Sequence, residues 1–518
     1  MTTDTFDVIL IGAGHNGLVC SDYLARAGFK VLILEAGKQA GGASITRGFS
    51  EGFSVSACAH SLSQLHPDIV RDLNLEAHGL EYAAKNLKTI ALSEDGNHLS
   101  ILADTVEGAN LGTAEKQKYR DFHHTMKRFA GVLANMVPQC PPKLVEGDLA
   151  DKFALLKLGL GIRLLGKNDM RELMRIATIN IFDVLQEHFD NPLLKGAISF
   201  DAVLGAHMGP RSPNTVLGYL HRQLSGLFGF DGPALPRGGM GAVTRAIADA
   251  AMGNGVDIRL SCPVKQIKIE QGRAVGVVMQ DGSEFSAAII VSNADPKTTF
   301  RDLVTYPKLD SGFCRRVENI RIKSDTAKLH IALDALPDFA GLSDIGDRMI
   351  IAPDPVYVER AFDHSKYGEY SSAPAMEILV PTVHDSNLAP PGKHVMSIVV
   401  QYAPYSLKTG WDSSSKQAFS KIIVDRLAHY APGLPELIID SELLTPKDIE
   451  QEFRISGGHW HHCELALDQI AMMRPAYGAT RYNTPIKGLY LCGAGSHPGG
   501  NVMGMAGKNS ATAIIKGR

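Results

Sequence analysis

Phe6-Asp7-Val8-Ile9-Leu10-Ile11-Gly12-Ala13-Gly14-His15-Asn16-Gly17 is the stretch that decides the fold. Its first half is a short apolar run of the kind that fills a parallel-sheet strand buried on both faces. Its second half is G-x-G-x-x-G. Leu18 to Ala27 follows with helical spacing and closes on Gly28, and Lys30 to Leu34 is a second apolar strand ending at Glu35. Each glycine has a physical task. Gly12 permits the tight turn, Gly14 lets a pyrophosphate approach the backbone, and Gly17 lets helix and strand pack closely. The helix N-terminus directs free N–H groups and a positive partial charge at the phosphates. Glu35 lies 35 − 17 = 18 residues past Gly17, where a carboxylate accepts hydrogen bonds from ribose hydroxyls. Strand, turn, helix and acid together predict a dinucleotide site.

Working outward, Gly41-Gly42 offers another close backbone approach beside that site, and Phe53 to Ala59 is a candidate strand leading to His60. At the far end, Gly488 to Cys492 reads as a strand. Gly493-Ala494-Gly495-Ser496-His497-Pro498-Gly499-Gly500 reads as a backbone-exposing turn, and Asn501 to Ile515 as a helix. Such a turn suits the second half of a long cofactor, and the helix dipole would stabilise negative charge on a reduced flavin. A nicotinamide cofactor needs no second site so far away in the chain, whereas FAD accounts for both ends. Pro236 to Gly241 is glycine-rich but lacks a preceding apolar strand. Gly159-Leu160-Gly161 lacks the third glycine. One dinucleotide fingerprint is therefore the count.

The chain's 518 residues predict two or three domains. A net charge of −3 without a long basic run argues against nucleic acid as a partner. The seven cysteines are scattered and form no C-x-x-C, which removes a disulfide-reductase reading and fits free thiols in a cytoplasmic protein. No targeting segment is visible in the N-terminal Met-Thr-Thr-Asp, and no apolar run is long enough to span a bilayer. Between Pro67 and Phe230 the pattern is mostly helical, with Glu115 to Val137 and Met170 to Phe189 the strongest cases. Ala242 to Met252 is a further helix. Val256 to Leu260 is a strand, and Val264 to Glu270, Ala274 to Gln280 and Ala288 to Ser292 carry hairpin signals. His330 to Leu333, Met376 to Val380 and Val395 to Val400 predict a second sheet. Phe153 to Leu165 is unusually apolar, with Lys157 and Arg163 inside it. A core helix is the favoured reading, and a helix on a membrane surface the sharper one.

With both ends read, the chain resembles the phytoene-desaturase-like branch of the FAD-dependent amine oxidase superfamily, which includes carotenoid desaturases, carotenoid ketolases and retinol saturase. The resemblance rests on V-I-L-I-G-A-G-H-N-G at 8–17, E-A-x-x-x-x-G-G at 35–42, P-R-G-G-M-G at 236–241, S-N-A-D-P at 292–296 and R-P at 474–475. G-L-Y-L-C-G-A-G-S-H-P-G-G-N-V-M-G at 488–504 is the most specific piece. It implies an α/β (α+β) architecture. The Rossmann-like FAD-binding domain would be built from discontinuous segments 1–66, 232–300 and 485–518. A mixed sheet-plus-helices substrate domain would take 67–231 and 301–484. It implies non-covalent FAD contacts from Gly12, Gly14, Asn16, Gly17, Glu35, Ala36, Gly41, Gly42 and Val264. At the C-terminal end it implies contacts from Gly493, Ala494, Gly500, Asn501 and Val502.

His459-Trp460-His461-His462-Cys463-Glu464 invites a metal reading, but zinc needs a second ligand cluster and none is evident, so no metal is expected. His462 matches the resembled family's histidine and is the first candidate for proton transfer beside the flavin. Glu464 would orient it if the segment is extended, because alternate residues then share a face. His497, in the turn facing the flavin, is a third candidate. The expected activity is FAD-dependent oxidoreduction at carbon–carbon bonds of an extended apolar substrate such as a carotenoid, isoprenoid or fatty acyl compound. Oxygen, a quinone or another small acceptor would take the electrons, and a peripheral membrane contact would supply the substrate. A flavin amine oxidase and a non-catalytic flavoprotein assembly module are the alternatives.

Overall fold

The computed structural model describes residues 5–145 and 147–517; the N-terminal Met-Thr-Thr-Asp, read above for a targeting signal, lies outside them. Two sheets organise the molecule. The first is parallel and five-stranded, in the order Asp257–Arg259, Val31–Leu34, Val8–Ile11, Ile289–Ser292, Leu489–Leu491. Val8–Ile11 sits at its centre with all four residues buried, as a strand covered on both faces must be. Helices His15–Arg26, Met240–Gly253 and Met505–Lys516 pack on one another and bury one face in a core of Val8, Leu10, Val19, Ile247 and Met505. The other face packs Ile9, Leu32 and Ile290 against an antiparallel sheet of Val264–Glu270, Arg273–Met279 and Glu284–Ser286.

The second sheet is mixed and eight-stranded. Its order is Ile438–Leu444, Thr326–Leu333, His394–Gln401, Ala375–Leu379, Arg348–Ile351, Thr89–Ala91, Leu99–Leu102, Thr105–Glu107. Its pairs are antiparallel except that between Arg348–Ile351 and Thr89–Ala91. Side chains alternate between its two cores. Ile350 packs with the helices Thr113–Ala134 and Pro192–Val203, while Met349 and Ile351 pack with Ser413–Ala428.

Several expectations need correction. The mostly helical stretch from 67 to 230 also holds four short strands that the pattern did not show, Tyr82–Ala84, Thr89–Ala91, Leu99–Leu102 and Thr105–Glu107. Met170 to Phe189 is two helices, Lys167–Ile176 and Ile181–His188, broken by a turn at 177–180. The third hairpin strand is Glu284–Ser286, and Ile289–Ser292 joins the parallel sheet instead. The last helix starts at Met505 rather than Asn501, because Gly504 takes a left-handed φ of 81° ahead of it.

The largest correction concerns Phe153 to Leu165. It lies in a helix, Leu149–Leu164, but not in the core. Leu149 is 83% exposed, Phe153 68% and Leu164 76%, and Asp151 is the buried residue of the helix. Asp148 and Asp151 form a reciprocal capping box at its start, and Arg481 pairs with Asp151. The helix is pinned at one polar end while its apolar side chains face outward. Among the described residues, no helix is long and apolar enough to cross a membrane.

Candidate functional site

A large cavity lies where the two sheets meet. At its nucleotide end the glycine turn is held by the acid that follows it. Glu35 Oε2 accepts from the Ala13 N–H and Oε1 from the Gly37 N–H, each at 2.6 Å. The Gly41 N–H donates to the Ala13 carbonyl at 2.8 Å, so the second glycine pair is stitched to the first. Gly12, Gly14, Asn16, Glu35, Ala36, Gly41, Gly42 and Val264 all line this end. Gly12, Gly41 and Gly42 have left-handed φ values that disfavour any side chain. A Cβ on Gly14 would fall 2.6 Å from Asn293 Nδ2, which itself lines the cavity. Gly17 lies behind the turn instead, where a Cβ would meet the Gly12 carbonyl at 2.5 Å. The walls thus leave a backbone-lined slot, open to a pyrophosphate and closed to a side chain. The residues fit an FAD nucleotide end: the slot has a donor-rich helix start of the kind a pyrophosphate takes and a carboxylate, Glu35, of the kind a ribose takes.

The C-terminal turn contributes Ala494, Asn501 and Val502 to the cavity. Gly493 and Gly500 stay behind it. A Cβ on Gly493 would sit 2.4 Å from the Asn293 carbonyl, and one on Gly500 2.9 Å from the His221 ring. His497 does not line this cavity. Its Nε2 is 2.9 Å from the Met136 carbonyl, and it borders a second, smaller cavity under the exposed helix, with Lys157, Leu160 and Leu164.

His462 and Glu464 line the main cavity, but the segment between them is not extended. His462 has a left-handed φ of 61°, and its N–H turns back onto the His459 carbonyl at 2.7 Å. Glu464 therefore does not orient His462. Its Oε2 accepts from the His207 N–H at 3.3 Å and lies 3.8 Å from His459 Nε2. Burial holds His462 down at about 4 with Arg474 and His459 adding to it, against Asp295, so the ring is neutral at pH 7. His15 is held at about 4 by burial and by His462 beside it. His462 Nδ1 is buried without a hydrogen-bond partner among the described residues. Arg474 fixes this loop. Fully buried, it donates to the backbone carbonyls of His461, Glu464, Gln469 and Ala494, tying the histidine loop to the C-terminal turn. The histidines at 459 and 461 are buried as well. Among the described residues, no group of three or more His, Cys, Asp or Glu side chains is placed to hold a metal.

Sequence reasoning missed the opposite wall. His60, Asp201, Arg222 and Glu377 line the cavity from four separated segments, alongside Ala202, Leu204, Met208, Val399 and Leu465. The available signal was Glu377, a charge inside the otherwise apolar strand A-M-E-I-L. All seven cysteines are unpaired.

A family profile described as flavin containing amine oxidoreductase matches residues 17–515. The chain is similar to the pyridine nucleotide-disulfide oxidoreductase domain-containing protein 2 of Mus musculus, at 33% identity over 99% of this chain and 93% of that protein. It is similar to a limonene dehydrogenase component of Castellaniella defragrans at 27% identity, covering 98% and 94%. It is also similar to a lycopene-forming phytoene desaturase of Pantoea ananas at 25%, covering 97% of each chain. Among solved structures, a redesigned putrescine oxidase superposes with a TM-score of 0.64 at 16% identity, covering 99% of both chains, which is a likeness of fold.

Proposed function

The chain belongs to the flavin containing amine oxidoreductase family. From that premise we propose that it is an FAD-dependent oxidoreductase that desaturates, saturates or isomerises carbon–carbon bonds of an extended apolar molecule, such as a carotenoid, isoprenoid or fatty acyl compound. The observation that carries this reading is the continuity of one cavity, from the glycine slot and Glu35 to a wall of Ala202, Leu204, Met208, Val399 and Leu465. Segments 1–66, 232–300 and 485–518 form the cofactor domain, and 67–231 with 301–484 the substrate domain. Gly12, Gly14, Asn16, Glu35, Gly41, Gly42, Ala494, Asn501 and Val502 are the residues that would hold non-covalent FAD, with Glu35 the acceptor for its ribose hydroxyls. When bound, FAD supplies two-electron oxidation and reduction at its ring system.

The chain positions the substrate and excludes water from the apolar end. The neutral, unpartnered His462 Nδ1 is the group that accepts or returns a proton. With one dinucleotide fingerprint and no cysteine pair, electrons pass to oxygen, a quinone or another small acceptor. The amine oxidase alternative is less well supported at the far wall, because Asp201 and Glu377 are both already bonded to Arg348. Arg222 Nε, 3.2 Å from Asp201, completes the charge balance, so no net negative charge is left there to hold an ammonium group.

The test is an anaerobic screen in which polyenes, isoprenoids, fatty acyl compounds and amines are mixed with the yellow holoprotein. Bleaching of the flavin band by an apolar compound is the expected result. Bleaching by amines alone would overturn the proposal, and bleaching by none would favour the assembly-module reading. NADPH alone should leave the oxidised spectrum unchanged; rapid bleaching by it would reveal a nicotinamide site.

A further inference from the structure

The far wall of the cavity carries a polar cluster that carbon–carbon chemistry does not use. Arg348, fully buried, donates to Asp201 Oδ1 at 2.6 Å and to Glu377 Oε2 at 2.7 Å. Arg222 Nε stands 3.2 Å from the same Asp201 oxygen, with 28% of its side chain exposed. Across from them, His60 Nε2 lies 3.7 Å from Glu377 Oε1, too far for a hydrogen bond, and no described residue bonds to that nitrogen. The His60 side chain is 8% exposed and the Glu377 side chain 3%, and both border the cavity.

The hydrogen-bond chain behind His60 assigns its tautomer. The Ala57 carbonyl can only accept, so His330 Nε2, 3.1 Å away, must donate. Burial, with Lys328 adding to it, keeps His330 neutral, so its Nδ1 carries a lone pair. The Ser397 hydroxyl, 3.2 Å from that nitrogen, donates its one proton there. The Ser397 oxygen then accepts from His60 Nδ1–H at 3.4 Å. Burial and the cations Lys328, Arg348 and Arg222 keep His60 neutral as well, so its Nε2 is left as an acceptor. A lone pair on His60 and a carboxylate oxygen of Glu377 therefore face each other across a gap that one atom can bridge.

Two facing acceptors require a donor between them. A cation is disfavoured, because Arg348 and Arg222 already balance Asp201 and Glu377, and an ammonium would meet the same positive surroundings that keep His60 neutral. A hydroxyl supplies that donor without adding a charge. Its proton goes to His60 Nε2 or Glu377 Oε1, and its oxygen accepts from the Arg222 guanidinium at the cavity's edge. We propose that His60, Glu377 and Arg222 form a subsite for an alcohol hydroxyl, so that the substrate is an apolar chain ending in an alcohol rather than a pure hydrocarbon. This rests on the apolar-substrate reading above and narrows it.

The test is equilibrium binding to the FAD-loaded protein, read from perturbation of the flavin absorbance. Three probes in detergent micelles are compared: geranylgeraniol, its methyl ether and the hydrocarbon lacking the oxygen. The alcohol should bind at least about tenfold tighter than both others, since a site built to bond a hydroxyl discriminates strongly against an analogue without one. The ether accepts but cannot donate, so it should behave like the hydrocarbon. In His60→Leu that retains FAD, the alcohol's advantage should fall to within about twofold; if that variant does not retain FAD, Arg222→Met serves and should narrow it too. Equal binding of alcohol and hydrocarbon, equal binding of alcohol and ether, or tighter binding of geranylgeranylamine would each overturn the subsite alone. Failure of every probe to perturb the flavin would overturn the apolar-substrate reading as well.

Discussion

Glu35→Gln tests the cofactor assignment at one position. In the wild-type structure the two carboxylate oxygens each accept one backbone N–H at 2.6 Å, from Ala13 and Gly37. Glutamine keeps the shape but offers only one oxygen, and its amide N–H₂ is set against the other backbone donor. Hydrogen bonds to a charged acceptor contribute about 1.5–3 kcal/mol each, and an unsatisfied buried donor costs about 1–3 kcal/mol. The bond to the ribose weakens as well, from a charged acceptor to a neutral one. The expected result is an FAD dissociation constant raised roughly 10- to 100-fold, or about 1.4–2.8 kcal/mol. The assay is titration of deflavinated protein, following quenching of free flavin fluorescence, with FMN run in parallel. FMN lacks the adenosine half, so its affinity should change by less than about threefold, well inside the 1.4 kcal/mol that marks a tenfold change. An unchanged FAD affinity would show that Glu35 is not at the ribose. Equal losses for FAD and FMN would show that the substitution acts by loosening the Ala13–Gly37 turn.

Gly14→Val should give a colourless protein that ignores added FAD in the same titration, because its Cβ falls 2.6 Å from Asn293 Nδ2 and the rest of the side chain fills the pyrophosphate slot. His462→Asn keeps a residue that tolerates the left-handed backbone. It should retain FAD while turnover of the screen's substrate falls roughly 10²- to 10⁴-fold; normal turnover would reduce His462 to a packing role. His221 and His497 are held at about 4 chiefly by burial, against an ordinary 6.5. The unfolded chain binds protons first as pH falls, so stability is full above 6.5 and is lost between 6.5 and 4. At pH 5 each group costs about 2 kcal/mol, and a melting temperature that stays flat from pH 7 to 5 would refute this. The protein should bind anionic liposomes through its exposed apolar helix, and Lys157→Glu with Arg163→Glu should weaken binding by a kilocalorie or so per charge, ~2 kcal/mol in all; co-sedimentation that is identical for both proteins would rule the helix out as the contact.

The cofactor end was legible because its physics is local. Val8 to Glu35 is one contiguous strand, turn, helix and strand, and every step has a residue type that the backbone demands. The substrate sheet was legible only in part. Its strands were read at 330–333, 376–380 and 395–400, where they are apolar, while the first half of Thr326–Leu333, with Lys328 in it, was not; Thr89–Ala91 and Thr105–Glu107 are three residues each and hold their place only through partners. The helix at 149–164 was misread because apolar composition does not say whether anything covers it. The orienting role given to Glu464 failed on a single backbone conformation at His462, which no spacing rule reveals. The wall of His60, Asp201, Arg222 and Glu377 had no signature beyond the lone charge of Glu377 in its apolar strand, because its members meet only after the chain has folded.

The order of strands in the parallel sheet bears on how the protein is made. Val8–Ile11 is made well before its neighbour Ile289–Ser292, and longer still before the edge strand Leu489–Leu491. That central strand must therefore wait, apolar on both faces, until both partners have been made. Arg474 and the turn after Leu489–Leu491, which lock the histidine loop, also follow Val8–Ile11 by more than 400 residues (474 − 11 = 463). A chain cut anywhere before the final strand lacks part of the FAD cradle, however well its other sheet has formed. Flavin capture is then expected only once Leu489–Leu491 and the turn after it have been made.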